Sequence, residues 1–344
     1  MSKKHKEQTF KFSSKKYKCF FDASFEDHIH GDNIVIITDE NIVRIYAEKF
    51  SPYKMIVIPA GEKYKQQSTA DKVIYDLINL KADKETFIVG VGGGVVTDIA
   101  GYVASIYMRG VQFALVPTSI LAMVDASVGG KNGVDVGVYK NLVGTIRHPE
   151  MLIYDYSFLK TLTQEEWING FAEIIKHACI KDADMFEELE THSLEFYQSS
   201  PKALSALIQK NVEIKYNVVS NDELEKGERK LLNFGHTIGH AIENLHHLPH
   251  GHAISIGMIA ACRISQIISG FSHSHTILVE DLLIKYALPV KIDADKERVW
   301  EILLMDKKRA GGSMNFVLLD KIGKGKIQLI KLEELKIFFD QIFQ

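Results

Sequence analysis

The first half of the 344-residue chain alternates short, unbroken apolar runs with stretches of helical periodicity, and few folds accommodate that pattern. Asn33-Ile-Val-Ile-Ile-Thr38, Lys54-Met-Ile-Val-Ile-Pro59, Thr86-Phe-Ile-Val-Gly90 and Gln112-Phe-Ala-Leu-Val-Pro117 read as strands. Residues 69–80 and 98–108 read as helices between them. A strand that is apolar on both faces must be covered on both faces, so a parallel sheet flanked by helices is expected. From Thr163 onward helical patterns dominate, over residues 164–180, 202–219, 237–245, 253–268 and 279–286. A short β-like piece at 315–319 and a helical pattern at 332–343 complete the chain. The chain length suits two domains. The change of pattern near Tyr154 to Thr163 puts an α/β domain at 1–158 and a mainly helical domain at 159–344.

Composition excludes several classes of function. The chain is 46% hydrophobic and 25% charged, with a formal net charge of -3. No global field therefore draws it to nucleic acid or an anionic membrane. Three widely spaced cysteines, Cys19, Cys179 and Cys262, cannot build a disulfide framework and fit a reducing cytoplasm. The first residues are basic and polar with no apolar segment behind them, so no signal peptide is expected. The apolar stretch at 253–261 is too short to cross a bilayer.

Gly90-Val-Gly-Gly-Gly94 follows a predicted strand and leads into a predicted helix. Glycines there let the backbone approach a pyrophosphate at a helix N-terminus. The pattern departs from G-x-G-x-x-G because Val95 stands at the last position, and a tight strand-to-helix turn explains it equally. Asp39, Asn41, Glu62 and Lys65 lie at or just beyond strand ends, where a parallel sheet forms its ligand crevice. Ordinary loop polarity is the simpler account of these four.

Glu173, His236 and His250 offer one carboxylate and two imidazoles, a three-ligand set that leaves a zinc-like ion an open position for substrate. Lys176 shares a helix face with Glu173, and His240 shares one with His236. His252 is the alternative third ligand. Fourteen histidines are present, and His246, His247, His273 and His275 look like ordinary ones. Basic residues recur in Gly-rich or apolar settings: Arg109 before Gly110, Lys131 after Gly129-Gly130, Lys140-Asn141, and Lys215 and Arg229 flanking the acidic run 222–225. Singly each is a solvated charge. Together they suit phosphate and carboxylate groups.

In their order, these segments resemble the 3-dehydroquinate synthases, a family of sugar phosphate cyclases. The matching stretches are residues 92–104, Tyr107-Met-Arg-Gly110, Val116-Pro-Thr118, residues 124–131, Lys140-Asn141, Ala172-Glu-Ile-Ile-Lys176, residues 231–243 and residues 250–258. The resemblance runs from about Asp39 to the Lys307-Lys308 pair. It implies a Rossmann-like NAD-binding domain followed by a helical metal-binding one. It also implies conversion of 3-deoxy-D-arabino-heptulosonate 7-phosphate to 3-dehydroquinate and phosphate in the shikimate pathway. In that cycle NAD+ takes a hydride from C5, phosphate is eliminated, the hydride returns, and an intramolecular aldol closes the ring.

Carried over by resemblance, Glu173, His236 and His250 would hold Zn2+ or Co2+. Gly93, Gly94, Asp98, Thr118 and Ser119 would line the cofactor, with Asp39, Asn41, Glu62, Lys65 and Thr161 around it. Asp125, Lys131, Lys140, Asn141, Lys176, Lys215, Arg229, Asn233 and His240 would meet the substrate. Arg109 would reach the substrate phosphate from the partner in a homodimer, and Lys307-Lys308 would add a basic contact. The chain departs from the family pattern at Thr97, Ser119, Asn132 and His252. Rival readings are a cyclase acting on an amino analogue or another sugar phosphate, and a metal-dependent polyol dehydrogenase.

Overall fold

Four of the apolar runs become neighbouring parallel strands in the computed structural model, which describes residues 6–137, 139–307 and 312–342. Strands β1 (Lys6–Lys11), β2 (Lys16–Phe21), β3 (Ile34–Asp39), β4 (Lys54–Ile58), β5 (Phe87–Gly92), β6 (Phe113–Pro117) and β9 (Met151–Tyr154) form one sheet. Its order is β1-β2-β9-β6-β5-β3-β4. Every pair is parallel except β1–β2. Helices α1 (Glu40–Phe50), α2 (Gln67–Asn79) and α3 (Gly94–Ile106) connect the strands. The chain steps from β3 to β4 on one side and returns to β5 on the other. The β4-β3-β5-β6-β9 run is thus a doubly wound order with its switch point between β3 and β5, where such sheets bind ligands at their carboxyl ends. The expected Rossmann-like parallel sheet is present.

Alternate residues of these strands, Ile34, Ile36, Val89, Val91, Ala114, Val116 and Ile153, face one apolar cluster with Phe25, Phe50 and Phe158. Each such large side chain contributes roughly 1.5–3 kcal/mol on burial. On the opposite face α3 lies close to β5, because a Cβ on Gly90 would stand 2.6 Å from the Cβ of Ala100.

Two expectations need correction. The helix expected from Asp98 begins at Gly94, with Gly93 as its N-cap. It ends at Ile106, not Met108, because Met108 (φ +47°) and Arg109 (φ +65°) adopt left-handed backbone in a following 3-10 turn. Two hairpins escaped the apolar pattern altogether. The N-terminal hairpin β1–β2 carries charges at alternate exposed positions. Strands β7 (Lys131–Val136) and β8 (Tyr139–Ile146) form a separate antiparallel hairpin whose second strand is mostly exposed.

By compactness, Leu207–Glu223 groups with the residues up to Thr163. The second unit is Gln164–Ala206 with Leu224 onward. Helices α4 (Gln164–Lys181), α5 (Ala183–Thr191), α6 (Leu194–Ser199), α7 (Pro201–Asn221), α8 (His236–His246), α9 (His250–Ser269), α10 (His273–Lys285), α11 (Lys296–Lys307) and α12 (Leu332–Ile342) dominate the later chain. One antiparallel hairpin, β10 (Ser313–Lys321) with β11 (Lys324–Lys331), joins them. The later chain is mainly helical, as expected. Helix α9 is long and apolar enough to cross a membrane, but 72% of that span is buried, so it is a core helix of this unit.

Helices α8 and α9 approach closely at Gly257, where a Cβ would stand 2.0 Å from the Gly235 carbonyl oxygen. Backbone cannot yield as a side chain can. Gly257→Ala is therefore expected to destabilise the protein toward the upper end of the roughly 1–3 kcal/mol typical of overpacking. Urea unfolding reads this directly, and an unchanged midpoint would refute the close contact.

Candidate functional site

In the first unit, the four turn glycines divide by what surrounds them. A Cβ on Gly92 would lie 2.5 Å from Val96, so Gly90 and Gly92 are required by packing. A Cβ on Gly93 would meet nothing closer than 3.7 Å, and one on Gly94 nothing closer than 3.5 Å. These two instead keep space over the first turn of α3, whose N-cap, Gly93, has no side chain to cap it. The first-turn amides and the helix dipole suit a phosphate there, so the turn fits a dinucleotide. Thr118 donates its backbone N–H to the Gly92 carbonyl (2.9 Å), which places Thr118 and Ser119 beside the glycines. The Ser119 hydroxyl accepts from the Ala122 amide (3.2 Å).

Asp39 ends β3 on the other side of the switch point. Its carboxylate caps α1, accepting from the amides of Asn41 (2.9 Å) and Ile42 (3.0 Å). Burial raises its pKa against those two bonds. Lys65 is buried and bonds Asp98 (2.5 Å) and the Asn141 side-chain oxygen (2.7 Å). Burial disfavours its charge, but Asp98, Glu62 and Asp135 outweigh it and hold the ammonium charged. Asp98 is raised, since its burial exceeds the help from Lys65. Lys140 reaches Glu62 (3.0 Å) and Asp135 (3.5 Å), and Asp135 also accepts from the Asn141 amide (2.7 Å). Glu62, Lys65, Asp98, Lys140 and Asn141 thus belong to one network, joined by Asp135, which sequence reasoning missed.

Lys215 of α7 pairs with Asp125 (2.7 Å). Thr161 stands apart, exposed and bonded to the Tyr46 hydroxyl (2.7 Å). Lys131 and Arg109 are also exposed. Two departures from the family pattern are absorbed locally. The Thr97 hydroxyl donates to the Gly94 carbonyl (2.9 Å) inside α3. Asn132 donates to the carbonyls of Gly130 (2.8 Å) and Arg147 (2.9 Å) and fills the space over Gly101.

In the second unit, Glu173 is fully buried on α4, His236 opens α8 and His250 opens α9. One donor atom from each lies within 4.8 Å of the others. The Nε2 atoms of His236 and His250 stand 3.5 and 3.4 Å from Glu173 Oε1. Each ring turns its other nitrogen to an acceptor: His236 Nδ1 to the Phe234 carbonyl (3.1 Å) and His250 Nδ1 to Glu243 (3.3 Å). That arrangement turns both Nε2 atoms toward the Glu173 carboxylate, and metal-binding histidines show the same pattern. The residues therefore fit a zinc-type ion. His250 stands in this donor set and His252 does not.

The Lys176 ammonium contacts the second Glu173 oxygen. Burial would raise the Glu173 pKa, but Lys176, then His236 and His250, hold it well below the usual range. Burial and then Lys176 hold His236 well below its usual value, so it is neutral and ready to ligate. Burial also opposes charge on His250, yet Glu173 and Glu243 push its pKa up to about 10. A metal must displace that proton, so binding should release one. Asn169, one turn before Glu173, accepts from the Gly251 amide (2.5 Å) and ties α9 to α4.

His240 lies with its ring centroid 5.1 Å from that of His236. Arg229 is buried in a 3-10 turn, and Asn233 at its end donates to Glu225 (2.7 Å). Of the Lys307-Lys308 pair, Lys308 and the Lys307 side chain lie outside the described residues.

With the geometry in view, the fold belongs to a known class. It is similar to a solved 2-deoxy-scyllo-inosose synthase complexed with carbaglucose-6-phosphate, NAD+ and Co2+, with TM-score 0.84 and 27% identity, covering 98% of this chain and 100% of that one. A 2-epi-5-epi-valiolone synthase from Streptomyces hygroscopicus subsp. jinggangensis, with NAD+ and Zn2+ bound, is similar at TM-score 0.82 and 26% identity, covering 90% and 91%. Both are sugar phosphate cyclases. Residues 55–169 match the family model of the 3-dehydroquinate synthase N-terminal domain, and residues 170–309 that of the C-terminal domain. A 3-dehydroquinate synthase from Thermoanaerobacter pseudethanolicus is 38% identical over 320 residues, 90% of each chain. The chain belongs to the 3-dehydroquinate synthase family of enzymes.

Proposed function

We propose that the protein converts 3-deoxy-D-arabino-heptulosonate 7-phosphate to 3-dehydroquinate and phosphate. The observation that carries this reading is the buried Glu173–His236–His250 donor set with Lys176 against it, in a chain matched over both domains of the family. The solved cyclases with NAD+ and Co2+ or Zn2+ support the same cofactors here. When bound, these groups supply a transient hydride acceptor for C5 and a positive charge for the oxygen on it.

Glu173, His236 and His250 hold the ion. Gly93 and Gly94 leave the amides of α3 to the dinucleotide phosphates, with Thr118 and Ser119 alongside. Asp39, Asn41, Glu62, Thr161 and the Lys65–Asp98 pair surround the rest of the cofactor. Arg229 offers a planar fork to the substrate carboxylate. Lys131, Lys140, Asn141, Lys215, Asp125 and Asn233 hold its phosphate and hydroxyls. Lys176 supplies a buried positive charge beside the C5 oxygen, and His240 handles protons. The substrate phosphate itself accepts the C6 proton as it leaves, and proximity then favours ring closure.

Arg109 completes the phosphate contacts of the partner in a homodimer. Its exposed left-handed turn supports that role, as do the exposed Met108, Tyr139, Leu142 and Ile146 of the same unit. Mixing inactive Arg109→Ala with inactive Lys176→Met should restore partial activity through hybrid dimers, and no recovery would refute the shared site. Three buried, free cysteines support a reducing, cytoplasmic setting.

The test is one assay with NAD+, Zn2+ and the heptulosonate phosphate, following phosphate, 3-dehydroquinate and NADH together. Equal phosphate and dehydroquinate without net NADH is the expected result. No turnover by metal-loaded protein would redirect the assignment to an amino analogue or another sugar phosphate. Accumulating NADH would point to a dehydrogenase.

A further inference from the structure

We infer that Glu243 is a positioning residue that fixes His250 as a metal ligand, by accepting a hydrogen bond from its Nδ1–H. The inference rests on the metal reading of Glu173, His236 and His250. On α8, His236, His240 and Glu243 are spaced four and three residues apart, so all three share one face. After α8 the chain reverses at His247 (φ +52°), and His250 is already the first residue of α9. The close glycine contact of α8 with α9 holds this short turn in place. Glu243 is thereby brought to 3.3 Å from His250 Nδ1, and its side chain is only 9% exposed.

The chemistry of imidazole makes this contact consequential. If His250 gives its Nε2 lone pair to a metal, the ring's proton must sit on Nδ1. A buried N–H without an acceptor is costly, and a buried carboxylate is the acceptor that best fixes tautomer and ring angle. His236 obtains the same service from a backbone carbonyl, Phe234. The orienting contact of His250 comes from a side chain and can be removed by substitution.

His240, Glu243 and His250 also form a donor group within 4.8 Å, which raises the rival of a second ion. That ion would need His250 to ligate through both nitrogens and so lose its last ring proton. A hydrogen bond needs no such deprotonation and explains the same geometry.

The experiment measures zinc stoichiometry and zinc affinity by chelator competition on the full chain, with the visible spectrum of the Co2+ form. It compares wild type, Glu243→Gln, Glu243→Ala and Glu173→Ala. Glutamine keeps an acceptor oxygen of the same shape but loses the charge, so it also guards against a folding defect. One zinc per chain is expected in both Glu243 variants. Affinity should weaken by roughly 10- to 100-fold, more for alanine than for glutamine, with a shifted Co2+ spectrum. Wild-type affinity in folded Glu243→Ala would overturn the inference. So would two zinc ions in wild type falling to one in that variant. Undiminished zinc binding by Glu173→Ala would instead defeat the metal reading itself.

Discussion

Glu173→Gln is expected to abolish turnover and to unfold at markedly lower urea than wild type when both are metal-free. The carboxylate is fully buried and faces Lys176, His236 and His250. Losing its charge removes one of the three proposed metal ligands and leaves the Lys176 ammonium buried beside a neutral amide. Breaking a buried pair in this one-sided way costs about 3–5 kcal/mol. Because Glu173 is held well below its ordinary pKa, its stabilisation is complete above about pH 4.3 and is lost as pH falls through the depressed value. The stability gap between wild type and variant should therefore be full near neutrality and close in acid. Urea titrations at several pH values, with zinc content by metal analysis, check both parts. Normal zinc content in an active variant would remove Glu173 from the centre.

Lys176→Met separates catalysis from metal binding. The side chain is 1% exposed, and the ammonium contacts the Glu173 carboxylate of the candidate donor set. Removing a cation next to the donor set should leave zinc affinity unchanged or tighter. Without Lys176, Glu173 depends on the ion for compensation, so thermal stability should become more zinc-dependent than in wild type. Turnover should fall by about 10²–10⁴, the range for a positioned group acting on a developing charge or proton. Unchanged kcat would take Lys176 out of the reaction. Lost zinc would make it a structural support of the donor set.

The parts of the fold that sequence reveals are those with a period. Strand β5, the glycines after it and helices α8 and α9 announce themselves through apolar runs and residue spacing, and with them Gly93, Gly94, His236 and His250. The hairpin that carries Lys131, Lys140 and Asn141 does not, because β8 exposes Leu142 and Val143 side by side without alternation. Helix α7 reads identically whichever unit it packs with, so the grouping of Lys215 with Asp125 is invisible until the chain folds. The Lys65–Asp98 pair and Asp135 are likewise tertiary facts. Glu243 left one usable trace: it completes the spacing begun by His236 and His240. A lone carboxylate on a helix nonetheless reads as a solvated charge.

The central claim is that NAD+ is borrowed and returned within one turnover, and substrate deuterated at C5 tests it most directly. The account predicts that 3-dehydroquinate retains the deuterium at the carbon that was C5. Phosphate should be released in equal amount, and no labelled NADH should build up. Deuterium lost to solvent or accumulating in free NADH would contradict it.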